Sequence, residues 1–281
     1  MANYYCLMAG LPDIKLNDAQ PQRTIMQLKE EMQEVVTPKD ANLLFYYFLR
    51  FDCENLVHLL AHPEAEIDER GNFTREQYED LMRSARELNF NVHRYPAFMS
   101  IFAREYAYNS GRKDWFPMDA LMLAYYQFAR EVPNKFMADW YQLNLDMLNI
   151  LTALIARKHG WTLSQFVQGT GEVIETILNQ HNLQDFGLGL ELDYVKELMR
   201  CVETDDPVEK ERQIDALRWN WLEEKTFLEP FDINALFSYL ARTEMLERWS
   251  RLDVEQGRQR FTEIIENLRG EARVPEEFIR K

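Results

Sequence analysis

A ten-residue string recurs along this chain and constrains its fold more than any other feature. Phe51-Asp52-Cys53-Glu54-Asn55-Leu56-Val57-His58-Leu59-Leu60 returns as Leu145-Asp146-Met147-Leu148-Asn149-Ile150-Leu151-Thr152-Ala153-Leu154. A weaker third copy, Phe231-Asp232-Ile233-Asn234-Ala235-Leu236-Phe237-Ser238-Tyr239-Leu240, carries Ala235 in place of the Asn. The Asp positions lie 94 and then 86 residues apart. Asp and Asn at i and i+3 fall on one helix face beside an apolar stripe, where they can tie neighbouring helices together. Asp52, Asn55, Asp146, Asn149 and Asp232 are therefore the polar positions expected to matter for structure. The spacing predicts three related helical units, over 1–110, 111–204 and 205–281.

The sequence around the string is helical almost throughout. Thr37-Pro38-Lys39-Asp40 reads as an N-cap, a proline at N1 and an acidic first turn, opening a helix that should last until Pro63. Thr74-x-x-Gln77 reads as a capping box for a helix through about Leu88. Helical spacing then covers Asp119–Glu131, Lys135–His159, Leu163–Gln180, Glu191–Val202, Pro207–Glu224, Ile233–Arg248 and Val254–Leu268. Gly160 stands where a glycine would end the Lys135 helix. Gly169-Thr-Gly171 and Gly187-Leu-Gly189 read as helix boundaries. Tyr4–Met8 alone looks strand-like. With only ten Gly and ten Pro in 281 residues, the chain lacks the turn residues that an all-β protein would need. The expected class is all-α, and the short breaks at Pro63–Gly71, Asn109–Pro117, Phe186–Leu190 and Thr204–Pro207 imply units packed directly into one compact, pseudo-threefold body.

Function classes narrow by exclusion. The formal charge of −15 argues against nucleic-acid binding and against adhesion to anionic lipid. Cys6, Cys53 and Cys201 are odd in number and widely spaced, which suits a reducing compartment better than a disulfide framework. No secretory signal is expected at the start, and Leu143–Ala156, broken by Asn144, Asp146 and Asn149, is too short to cross a bilayer. No P-loop, GxGxxG after a strand, GxSxG or HExxH occurs. Glu54, His58 and His62, at i, i+4 and i+8, form the one candidate metal-ligand set, and a charged stripe near a helix C-terminus is the simpler account of them. Adjacent carboxylates such as Glu223-Glu224 point to different faces of a helix. The aromatic runs read as core. No cofactor and no catalytic residue is expected.

The first copy, within Leu49-Arg50-Phe51-Asp52-Cys53-Glu54-Asn55-Leu56-Val57-His58-Leu59-Leu60, resembles the Asp-x-x-Asn-Leu-x-x-x-Leu signature in the C-type central-stalk component of V/A-type rotary ATPases, the counterpart of the eukaryotic d-type component. The second copy, ending Ile155-Ala156-Arg157-Lys158-His159-Gly160, resembles the repeat of that signature. The third, followed by Glu244-Met245 and later Gly257, is similar to the last unit. The start, Asn3-Tyr4-Tyr5-x-Leu7-x-Ala9-Gly10-Leu11-Pro12-Asp13, resembles a bacterial family of uncharacterised proteins encoded in V-type ATP synthase gene clusters. The resemblance implies a funnel-like body that passes torque between the rotor shaft subunits and the membrane rotor ring of a proton or sodium motor, without chemistry of its own. It further implies a cytoplasmic location, held at the membrane face through protein partners. A helical interaction scaffold unrelated to the ATPase, or a metal-dependent helical enzyme using Glu54, His58 and His62, are the alternatives.

Overall fold

A computed structural model describes residues 3–87, 94–112, 115–167 and 169–251. Among them the regular structure is wholly helical: α1 (Tyr5–Gly10), α2 (Ile25–Val35), α3 (Pro38–Ala61), α4 (Arg75–Arg86), α5 (Ala97–Asn109), α6 (Pro117–Ala129), α7 (Lys135–Lys158), α8 (Glu172–Asn179), α9 (Val195–Glu203), α10 (Pro207–Thr226) and α11 (Ile233–Arg251). Two single 3₁₀ turns, Leu163–Gln165 and Leu188–Leu190, lie on either side of α8.

The long helices begin and end for local reasons. The Thr37 hydroxyl accepts the Asp40 N–H at 3.3 Å, and Pro38 follows it at N1, where a missing N–H costs nothing. Asn134 caps α7 by accepting the Met137 N–H at 2.9 Å. At the far end Gly160 takes a φ of +69°. The Trp161 N–H then reaches the Ala156 carbonyl at 2.8 Å and the Gly160 N–H reaches Arg157 at 3.1 Å, a Schellman closure. At α4, Gln77 Oε1 accepts the Thr74 N–H at 2.8 Å.

Several expectations change. Tyr4–Met8 is not a strand: Tyr5–Gly10 is helical, and Tyr4 gives its N–H to the Phe231 carbonyl at 2.7 Å instead of to a strand partner. The helix expected over Leu163–Gln180 is broken, because Gly169 and Gly171 adopt φ values of +103° and +144°, so α8 starts only at Glu172. Helices α2 and α5 are additions. The capping signal of α2 is present in the sequence, since Thr24 and Gln27 exchange hydrogen bonds at 2.9 and 3.2 Å. Helix α5 has no such signal, as it starts after Pro96 and buries only Met99, Phe102 and Ala103. The helix expected over 254–268 lies outside the described residues.

Helices α3, α7 and α11, which carry the three copies, meet around Phe237 of α11. Its ring lies edge-on to Tyr47 of α3 at 5.4 Å between centroids, and to Phe136 and Tyr141 of α7 at 5.9 and 6.1 Å. Such T-shaped pairs align the positive ring edge with a neighbouring face. Helix α6 packs against both α3 and α7, α9 against α7 and α10, and α10 against α11. The boundaries expected at 110 and 204 fall in the α5–α6 and α9–α10 connections, and helix packing runs across both. The N-terminal segment closes back on α11: Tyr239 donates to the Pro12 carbonyl at 2.9 Å, and the Ile25 N–H reaches Glu247 at 2.7 Å.

The third copy does not occupy the same place in its helix as the first two. Asp52 and Asp146 lie well inside α3 and α7, whereas Asp232 precedes α11 and caps it, accepting the Ala235 N–H at 2.9 Å.

Candidate functional site

The polar positions of the first copy form one connected network. Asp52, fully buried, accepts the Asn72 and Phe73 N–H groups at 2.7 and 3.1 Å, the Asn72 side chain at 2.7 Å and the Tyr78 hydroxyl at 2.6 Å. Burial pushes its carboxyl above the ordinary range, and these hydrogen bonds to the charged form oppose that push. Asn55 pairs with both backbone groups of Asp68, at 2.7 and 2.9 Å. Together they fasten the α3–α4 connection to α3. Gly71 is required there, since a Cβ would lie 2.5 Å from Asp52 Oδ1.

The second copy differs in its partners. Asp146 accepts from Gln142, one turn back on the same helix, at 2.8 Å, and Asn149 donates to Leu145 at 3.1 Å, also within α7. Burial raises the Asp146 pKa to about 6 against the weaker pull of Gln142 and Arg130.

Glu54, His58 and His62 are not brought together. Glu54 lies 3.5 Å from Arg50, and His58 is exposed on α3. His62 falls past the helix end with an extended backbone, which takes it off the i+8 face. Among the described residues no group of three His, Cys, Asp or Glu side chains is placed to hold a metal ion.

A cleft of about 320 Å³ opens where α3, α6, α7, α10 and α11 face one another, so all three copy-bearing helices contribute to its wall. Arg50 of α3 reaches Glu244 of α11 at 2.9 Å and keeps 31% of its side chain accessible. Burial works to raise the Glu244 pKa, but Arg50, Arg248 and Arg70 outweigh it and hold the carboxyl below its ordinary range. Arg50 is held charged in turn, with Glu244 the largest cause. A second cluster centres on buried Asp215 of α10, which receives Arg218 at 3.1 Å, the Trp249 indole N–H at 2.8 Å, and Arg248. Trp140, Tyr126 and Tyr141 supply aromatic surface. The Tyr47 hydroxyl and the Nε atoms of Arg218 and Arg248 are buried there without a hydrogen-bond partner. Mixed charge and aromatic surface in a recess of this size suit the binding of a ligand or of a projecting partner group.

A family described as "Protein of unknown function (DUF2764)" matches residues 1–272. The chain belongs to that family. No curated protein and no solved structure matches it. What the cleft can do therefore follows from its own geometry. Its principal residues were passed over by the repeat pattern, although Arg50 and Glu244 each stand just before or just after a copy. The available signal was a charged residue interrupting the apolar stripe of a long helix, since a charge in that place must find a partner. Asp215 carried the same signal, embedded between Ile214 and Ala216 in α10.

Proposed function

We propose that this protein is a non-catalytic component of the central stalk of a V/A-type rotary ATPase, coupling the rotor shaft to the membrane rotor ring through protein contacts on the cytoplasmic side. The observation that carries this reading is the pair of signature copies in α3 and α7. Asp52 and Asn55, like Asp146 and Asn149, are buried inside helices of 24 residues each that meet α11 at one aromatic junction.

The packing supports a mechanical role. A torque coupler must resist shear between its parts, and here the long helices touch directly. Charged pairs such as Arg50–Glu244 span the first and last of them. The cleft adds a recess for a projecting element of the shaft. Among the described residues no helix is long and apolar enough to cross a membrane, so contact with the ring would use surface helices and connections.

The capping role of Asp232 favours a second reading, a helical scaffold unrelated to the ATPase whose repeated strings reflect packing alone. An affinity pull-down of the tagged chain from its native membranes, read by mass spectrometry, separates the two. Co-recovery of the rotor shaft and ring subunits is expected. Reproducible recovery of other proteins without those subunits would overturn the coupler and leave the scaffold.

A further inference from the structure

The turn between α10 and α11 presents apolar side chains to solvent where nothing local calls for them. Phe227 and Leu228 are 79% and 86% exposed, and Pro230 beside them is exposed as well. Tyr5 of α1, 55% exposed, extends the patch by packing on Phe231, with 4.6 Å between ring centroids. Single exposed apolar residues are ordinary, whereas a contiguous apolar patch marks a binding surface. The backbone does not demand these residues, since Phe227 has right-handed helical angles that a polar residue adopts equally well.

The patch is held from several sides. On one side of the turn the Thr226 hydroxyl donates to the Leu222 carbonyl at 2.7 Å, and on the other Asp232 accepts the Ala235 N–H at 2.9 Å. The Asn234 side chain joins Asp232 at 2.8 Å and the Asn134 cap of α7 at 2.9 Å. The Phe231 carbonyl accepts the Tyr4 N–H at 2.7 Å, and the Tyr4 hydroxyl donates to Asp40 of α3. A knob fastened in this way to the starts of α3, α7 and α11 loses little conformational freedom on binding.

Charge selects the occupant. Glu224 and Glu229 flank the Phe-Leu pair, both are exposed, and neither forms an ion pair among the described residues. Lys225 offsets only one of them. A second copy of this chain would set these carboxylates against each other, and an anionic lipid surface would repel them, at a formal charge of −15. We propose that the α10–α11 turn is a docking knob for a partner polypeptide whose apolar face is rimmed by lysine or arginine. Burial of Phe227 and Leu228 supplies the affinity, and Glu224 and Glu229 orient the basic rim. This inference does not depend on the coupling role, and a failed pull-down leaves it standing.

The test titrates the intact chain, labelled at its leucine methyl groups, with a synthetic amphipathic helix of leucine and lysine up to about 1 mM, read by nuclear magnetic resonance. The Leu228 signals are expected to shift and saturate. Those of Leu190, 97% exposed in the 3₁₀ turn after α8, stay still. Phe227→Ser combined with Leu228→Ser should weaken binding of the same peptide at least about tenfold in fluorescence anisotropy. Its unfolding midpoint should not change, because both side chains are exposed. Glu224→Gln with Glu229→Gln should weaken binding about threefold and lessen its salt dependence. Unmoved Leu228 signals, or an unchanged affinity in the serine variant, overturn the proposal. Equal binding of a leucine–glutamate peptide of the same pattern overturns it too. Leu228 shifts on concentrating the chain alone, or on adding phosphatidylglycerol vesicles without peptide, would assign the knob to a second copy or to lipid instead.

Discussion

Asp146 and Asp52 show how one residue type in one sequence pattern meets two fates. Both are buried, at 7% and 0% exposure, yet Asp52 collects four hydrogen bonds from the α3–α4 connection, Asn72 and Tyr78, while Asp146 is paired with Gln142 of its own helix. The Asp146 pKa is raised by burial to about 6, above an unfolded value of about 3.9. Between these values the folded state holds the proton more tightly. The stability this provides is fully present below about pH 4 and is lost as pH rises through about 6, on the order of 3 kcal/mol in all. Asp146→Asn keeps an oxygen for Gln142 and carries no charge. The variant should be more stable than the parent at pH 7.5 and should show a flatter pH dependence between 4 and 6, measured by urea unfolding. A variant that is less stable at both ends of that range would contradict the argument. The sequence marked both carboxylates as polar intrusions on an apolar stripe. It could not say which would be satisfied, because Asn72 and Phe73, which supply three of the four bonds to Asp52, lie some twenty residues away on a connection with no helical pattern of its own.

Helix ends follow from short-range chemistry, and glycine shows the limit of that rule. Gly160 has a φ of +69°, and nothing lies within 4 Å of where a Cβ would stand, so its role is purely conformational. Gly160→Ala should cost about 1 kcal/mol. Gly71 has no such backbone requirement, but a Cβ there would lie 2.5 Å from Asp52 Oδ1 and 3.1 Å from the Tyr78 hydroxyl. Gly71→Ala should cost about 2–3 kcal/mol, since it forces apart a buried hydrogen-bonded network. Chemical denaturation of the two variants tests the order, and a larger loss at Gly160 would refute it. Gly160 was legible as a helix stop from the basic, apolar-periodic segment before it. The demand at Gly71 was not legible, because it comes from side chains on α3 and α4. Helix α5 escaped notice for a related reason: its aromatic and small residues fill gaps between α3, α4 and α6 without forming a clean polar face.

Across the whole molecule, the Arg50–Glu244 pair joins the first long helix to the last, and Glu247 ties α11 to Ile25 and to Arg70. A buried ion pair is held together at a high desolvation cost, so removing one partner is worse than removing both. Glu244→Ala should lose about 1–3 kcal/mol, since Arg50 keeps Glu54 at 3.5 Å and part of its access to solvent. The double variant Arg50→Met with Glu244→Leu should recover most of that loss in thermal unfolding. A double variant as unstable as the single one would show that the pair is not the source of the effect.

Local physics determined the all-helical class, the course of α3, α7, α10 and α11, and their caps and stops. Those properties depend on residues within a turn or two of one another, where apolar spacing, proline geometry and glycine freedom act directly. Only the tertiary structure decided that Tyr4–Met8 coils instead of extending. The same holds for the meeting of Arg50, Asp215 and Glu244 around a cleft with unpaired donors. Each of these outcomes depends on groups brought together from distant parts of the chain, and the free energy of such encounters is set by packing and desolvation, which no local spacing encodes.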